Sequence, residues 1–154
     1  MARKVFFVWA LVLAFALLGA ACGGDDDDAT GGGDVDGQGD GDGQEVAATT
    51  EDYSISLDPT SVASGETTFN ITNDGAVLHE FVVFKTDLAE GDLPVDDEGT
   101  IDEEGGLEVV DEVEDMEAGS THELTVDLDA GTYVIACNIP THYGLGMVTT
   151  LTVE

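Results

Sequence analysis

The chain has 154 residues, enough for one ordinary domain with appendages and too few for two full cores. Three Lys and Arg residues stand against 34 Asp and Glu, a formal charge of −31 at neutral pH. A polyanion would meet a surface without a basic patch, so nucleic acid is excluded as a partner.

Residues 1–22 read as a targeting segment. Arg3 and Lys4 form a short basic region, VFFVWALVLAFALL is fourteen apolar residues without interruption, and GAAC supplies the small residues a signal peptidase accepts. Fourteen falls short of the roughly 20 that span a bilayer, so cleavage is expected, with a retained anchor over Val5 to Ala21 as the alternative. Cys22 resembles the lipidated cysteine of a bacterial lipoprotein signal, although Gly19 stands where that pattern prefers Leu. Lipidation there implies a domain held on a membrane outside the cytoplasm; simple secretion is the competing reading.

Residues 23–50 are expected to be a disordered tether. Nine acids fall between Asp25 and Glu45, interleaved with glycine, and such a composition buries no apolar surface. As a flexible coil it would reach roughly 30 Å, further with charge repulsion. Asp34, Asp36, Gln38, Gly39, Asp40, Asp42 and Glu45 fall on the spacing of a twelve-residue calcium loop. Gly41 replaces the apolar residue that would tie such a loop down and no helical pattern flanks it, so the match is credited to the Asp/Gly composition.

From about Val46 the texture becomes that of strands, and the folded domain is placed at 51–154. YSISL and TTFNITN alternate, LHEFVVF is almost continuously apolar, and HELTVDL, GTYVIAC and MVTTLTV follow. Asp58-Pro59, Ser64-Gly65, Asp74-Gly75, Gly119-Ser120 and Ala130-Gly131 punctuate them. Seven to eight short strands predict an all-β sandwich. Residues 87–118, with fifteen acids around the one strand candidate LEVV, are expected to be a solvated loop excursion, and no chemistry is assigned to them.

The chemistry-bearing residues gather near the C-terminus in CNIPTHYGLGM. Cys137 ends a predicted strand, His142 lies in the connection and Met147 begins the last strand, so one sandwich edge holds all three. His79 opens another apolar strand after a loop. Two imidazoles, a thiolate and a thioether suit copper in both oxidation states, with the sulfur of Met as a weak fourth ligand. Zinc accepts Cys and His, but structural zinc sites do not use Met. His122, in STHEL, has no soft partner nearby and is read as a strand residue facing solvent.

From about Ser54 to Val153 the chain resembles a cupredoxin, the small blue-copper domain. Cys137, His142 and Met147 have the spacing of the rusticyanin and sulfocyanin ligand loop, AGTY precedes the Cys, and His79 follows a turn marked by Asn73 and Gly75. The resemblance implies a Greek-key β-sandwich, one type 1 copper held by His79, Cys137, His142 and Met147, and a one-electron carrier. It also implies an electron port at the His142 ring edge, with Val77, Pro140, Tyr143, Leu145 and Gly146 around it. Two departures stand out: Glu80 follows the upstream His where Asn or Ser is common, and Thr149 and Thr150 replace a Gly after the Met.

With no second metal constellation and no catalytic triad in the sequence, a non-enzymatic monomer is expected, exchanging electrons with a redox protein such as a cytochrome or a terminal oxidase. A copper-storage protein of the same fold is the alternative. The acidity would either steer a basic partner or keep the protein solvated in a saline habitat.

Overall fold

The computed structural model describes residues 43–154. The expected targeting segment, Cys22 and the expected tether as far as residue 42 lie outside them. Among the described residues nine strands run in chain order: β1 (Gln44–Glu51), β2 (Ser54–Asp58), β3 (Ser61–Val62), β4 (Gly65–Asn73), β5 (His79–Lys85), β6 (Glu108–Met116), β7 (Thr121–Leu128), β8 (Gly131–Ala136) and β9 (Val148–Val153). A single 3₁₀ turn, Tyr143–Leu145, precedes β9. Among the described residues no helix is long and apolar enough to cross a membrane.

The strands form two sheets, one in the order β2-β1-β4-β7 and the other β3-β9-β8-β5-β6. Alternation places one apolar set of each sheet between the layers: Val46, Phe69, Ile71, Leu124 and Val126 from the first, Phe81, Val83, Tyr133, Ile135 and Leu151 from the second. Phe69 and Phe81 meet across the gap with ring centroids 5.3 Å apart. Such a pair contributes about 0.5–1.5 kcal/mol beyond the area it buries.

The first strand begins at Gln44, so the folded domain starts there and not at residue 51. QEVAATTE hides its period because small and polar residues occupy its inward positions, yet Val46, Ala48 and Thr50 are buried. β1 is an interior strand of its sheet, parallel to β4 and antiparallel to β2. Glu45, the last position of the calcium-loop match, lies in this strand.

The acidic insertion is also more ordered than a solvated excursion. Its second half is β6, paired along β5. Its first half lies over the outer face of the second sheet, where Leu93 and Ile101 are buried with Val82, Phe84, Val134 and Ala136. This explains the continuous apolar run of β5: Phe81 and Val83 face the main core while Val82 and Phe84 face the insertion. A strand covered on both faces loses its alternation.

Candidate metal centre

The upstream ligand is positioned by the turn before β5. The side-chain oxygen of buried Asn73 accepts from the N–H of Gly75 at 2.9 Å, and its amide donates to the carbonyls of Val77 (2.9 Å) and Met116 (2.8 Å). An Asn closing its own turn in this way fixes the chain entering β5, and His79 emerges fully buried at its start.

The other three ligands come from one excursion between β8 and β9. Cys137 continues the inward parity of Tyr133 and Ile135, and its N–H donates to the Met147 carbonyl at 3.1 Å, adding a rung to the β8/β9 ladder. Between those residues the chain makes the 3₁₀ turn, with His142 at its N-cap and Gly146 at its C-cap. Gly146 has φ 101°, a left-handed conformation that residues with a side chain rarely adopt, so the step from the turn into Met147 favours glycine. The Met147 N–H donates back to the His142 carbonyl at 3.2 Å.

These local structures bring the donors together. The Nδ1 atoms of His79 and His142 are 3.3 Å apart, and His142 Nδ1 is 3.3 Å from Cys137 Sγ. One donor atom from each of the three residues lies within 4.8 Å of the others. His79, Cys137 and Met147 are buried, and His142 as a residue is half-buried. The backbone N–H of Glu80 points at the sulfur from 3.3 Å.

The local electrostatics favour a cation among these groups. Burial pushes the Cys137 thiol up, against the pull of the Glu80 and Ile139 N–H groups. Burial, and then the neighbouring His79, pulls the His142 imidazole down, keeping it neutral and able to ligate. Two ring nitrogens and a desolvated sulfur are crowded to 3.3 Å. A soft metal ion satisfies all of them at once.

Two residues not foreseen from the sequence complete the surroundings, both at the β1–β2 turn. Asp52 Oδ1 lies 3.1 Å from His79 Nε2, the nitrogen turned away from the ligand cluster. Tyr53 packs edge-on against His142, ring centroids 4.7 Å apart, and against His79 at 6.3 Å. A third, Asn138, follows the Cys and ties the ligand loop to the insertion. Its Oδ1 accepts from the Ile101 N–H at 2.6 Å and its amide donates to Glu103 at 2.6 Å. Asp52 and Tyr53 carry no sequence signal, since nothing in a turn between two strands says which site it overhangs.

The expected port residues are distributed as follows. Val77 is 40 % exposed and Leu145 58 %, and Pro140 and Gly146 are exposed. Tyr143 is turned to the insertion: its hydroxyl donates to the Glu90 carbonyl at 2.7 Å and accepts from the Leu93 N–H at 3.0 Å. The insertion adds Val95 and Gly99, which with Thr141, Tyr143, Gly144 and Leu145 line an open apolar hollow of about 420 Å³. His122 differs from its expected solvent-facing placement. It shares the inward parity of Leu124 and Val126, is half-buried, and its Nε2 bonds Ser120 Oγ at 3.0 Å.

A two-sheet sandwich with His, Cys, His and Met at one end defines a cupredoxin, and the four side chains form a type 1 copper arrangement. The family model of copper-binding proteins of the plastocyanin/azurin type matches residues 44–154, and the chain belongs to that family. Its fold is shared by solved structures of low sequence identity. Dithionite-reduced auracyanin from Roseiflexus castenholzii is 23 % identical, with a TM-score of 0.50 over 71 % of this chain and 94 % of that one. An azurin from Methylomonas sp. strain J is 20 % identical, TM-score 0.53, over 72 % and 98 %. Rusticyanin from Thiobacillus ferrooxidans is 19 % identical, TM-score 0.52, over 71 % and 76 %. No curated protein matches the sequence.

His79, Cys137 and His142 would hold the copper through two nitrogens and a thiolate, with Met147 as the weak fourth ligand. The bound ion supplies a centre that gains or loses one electron with little rearrangement. The chain's own part is to keep those donors converged and oriented before the metal arrives.

Proposed function

We infer that this protein is a one-electron carrier working outside the cytoplasm, exchanging electrons with a redox protein such as a cytochrome or a terminal oxidase. The observation that carries this reading is the contrast in burial within one ligand set: His79, Cys137 and Met147 are fully buried, and of the four only His142 is a partly exposed residue. An enclosed, preorganised set retains the metal, and a partly exposed ligand residue in the same turn as exposed, apolar Leu145 offers a short path for an electron. No catalytic residue is assigned. The extracytoplasmic location rests on the leader-like residues 1–22, with Cys22 as the point of lipid attachment to the membrane.

Protein loaded with copper(II) is expected to show an intense visible thiolate-to-copper band. The band should bleach on reduction, return on oxidation and vanish in Cys137→Ser. A colourless loaded protein would overturn the reading. A coloured protein that surrenders copper rapidly to a chelator and does not cycle with a redox partner would instead favour storage.

A further inference from the structure

We propose that Asp52 is a positioning residue that lowers the reduction potential of the copper site, through its hydrogen bond to the outer nitrogen of His79. This deepens the electron-carrier reading and rests on it.

Asp52 sits at the tip of the β1–β2 turn, and its Oδ1 is 3.1 Å from His79 Nε2. Both its oxygens also accept from the Ala76 N–H at 3.1 Å, which anchors the carboxylate to the turn that leads into His79. An aspartate side chain is ionised at neutral pH, so the pair sets a full negative charge against the outer nitrogen of His79. With Nδ1 in the ligand cluster and Nε2 against a carboxylate, the tautomer is fixed: the proton sits on Nε2 and the lone pair on Nδ1. A carboxylate accepting that proton makes the ring a stronger donor. It also adds a negative charge to the ion's surroundings. Both effects favour copper(II) over copper(I), which lowers the potential.

Gly75 shows how tightly the pair is built in. A Cβ at Gly75 would lie 2.8 Å from His79 Nε2 and would collide with Asp52 Oδ1. The absence of a side chain in the Asn73–Gly75 turn leaves the room that the carboxylate–imidazole pair occupies.

The test is the midpoint potential of copper-loaded Asp52→Asn. Asparagine still accepts hydrogen bonds from His79 and Ala76, so the substitution removes the charge and keeps the geometry. The ratio of copper(II) to copper(I) affinity is expected to fall about tenfold, an upward shift of about 59 mV for a one-electron couple, with the visible band retained. An unchanged potential with the band retained would overturn the proposal, as would a fall. Should the variant not fold, nitrogen-15 spectra of the copper-free wild-type protein decide, at a pH where both rings are neutral. A His79 proton on Nε2 supports the pairing, and a proton on Nδ1 overturns it. Failure of the electron-carrier reading looks different: wild-type protein that takes up no copper, or that does not cycle, leaves the nitrogen-15 result standing on its own.

Discussion

The backbone N–H of Glu80 lies 3.3 Å from the sulfur of Cys137, so the residue that departs from the family pattern still supplies the main-chain bond to the ligand. Its carboxyl belongs to a different problem, the acidic edge of the second sheet. Burial, then the charges of Glu114, Glu112, Glu103 and Asp115, push it above its ordinary 4.5. Glu112 is raised in the same way, by burial and then by Glu103, Glu114 and Asp111.

A raised carboxyl takes up its proton more readily folded than unfolded. While ionised it costs stability, and the cost disappears as pH falls through the raised folded value toward 4.5. Copper-free Glu112→Gln is therefore expected to unfold at higher temperature than wild type at neutral pH, by a few tenths of a kcal/mol at this exposed edge. The gap should close as the pH approaches 4.5 and shrink with added salt. Comparing variant with wild type cancels His142, whose lowered value works the other way. A gap that widens on acidification would contradict the account.

Asn138 is the hinge between the ligand loop and the insertion. Replacing it with Ala leaves the Ile101 N–H without the acceptor it has at 2.6 Å, in a segment whose Ile101 side chain is buried. An unpaired buried donor costs about 1–3 kcal/mol. Chemical denaturation of Asn138→Ala should show a loss in that range, and hydrogen exchange should speed up at Thr141 as well as at Ile101. The Thr141 link follows from its N–H donating to the Gly99 carbonyl at 3.3 Å, with Thr141 held at φ 75°, costly for a β-branched residue.

The parts of this molecule visible in its sequence are those written as short-range patterns. The alternation in TTFNITN, the turn at Asn73 and Gly75, and the spacing from Cys137 to Met147 each reflect a local constraint, and so β4, the His79 turn and the ligand loop were legible. What the sequence hid depends on neighbours distant in the chain. β1 has Ala and Thr at inward positions, and it is a strand because β2 and β4 flank it. Leu93 and Ile101 look isolated among acids, and only the outer face of β5 makes them a core. Asp52 and Tyr53 reach the histidines because pairing of β1 with β4 carries the turn to that end of the sandwich.

Met147 is fully buried, and its fully apolar isostere separates packing from ligation. Met147→Leu conserves volume, so copper-free stability should change by less than about 1.5 kcal/mol. Losing the thioether removes a donor that favours copper(II), so the potential should rise while the visible band persists, because Cys137 and both histidines remain. Potentiometry with visible spectroscopy checks both halves. A potential that does not move would mean that the Met147 sulfur does not ligate.

The charge of the whole chain makes a separate, kinetic prediction. Lys85 is the one Lys or Arg beyond residue 4, and it is already paired with Asp129 at 3.2 Å. Any reagent approaching the His142 end therefore meets a negative field. Oxidation of the reduced copper protein by a small cationic complex should slow as salt is added, and oxidation by an anionic complex should quicken, because screening weakens attraction in one case and repulsion in the other. The slopes should converge when Glu80, Glu103, Glu112 and Glu114 are replaced together by Gln, if this acidic cluster dominates the field at the port. Slopes that stay unchanged would assign the field to the remaining acids. Identical salt responses for the two reagents in the wild-type protein would mean that the field does not reach the site, and that the acidity serves solvation instead.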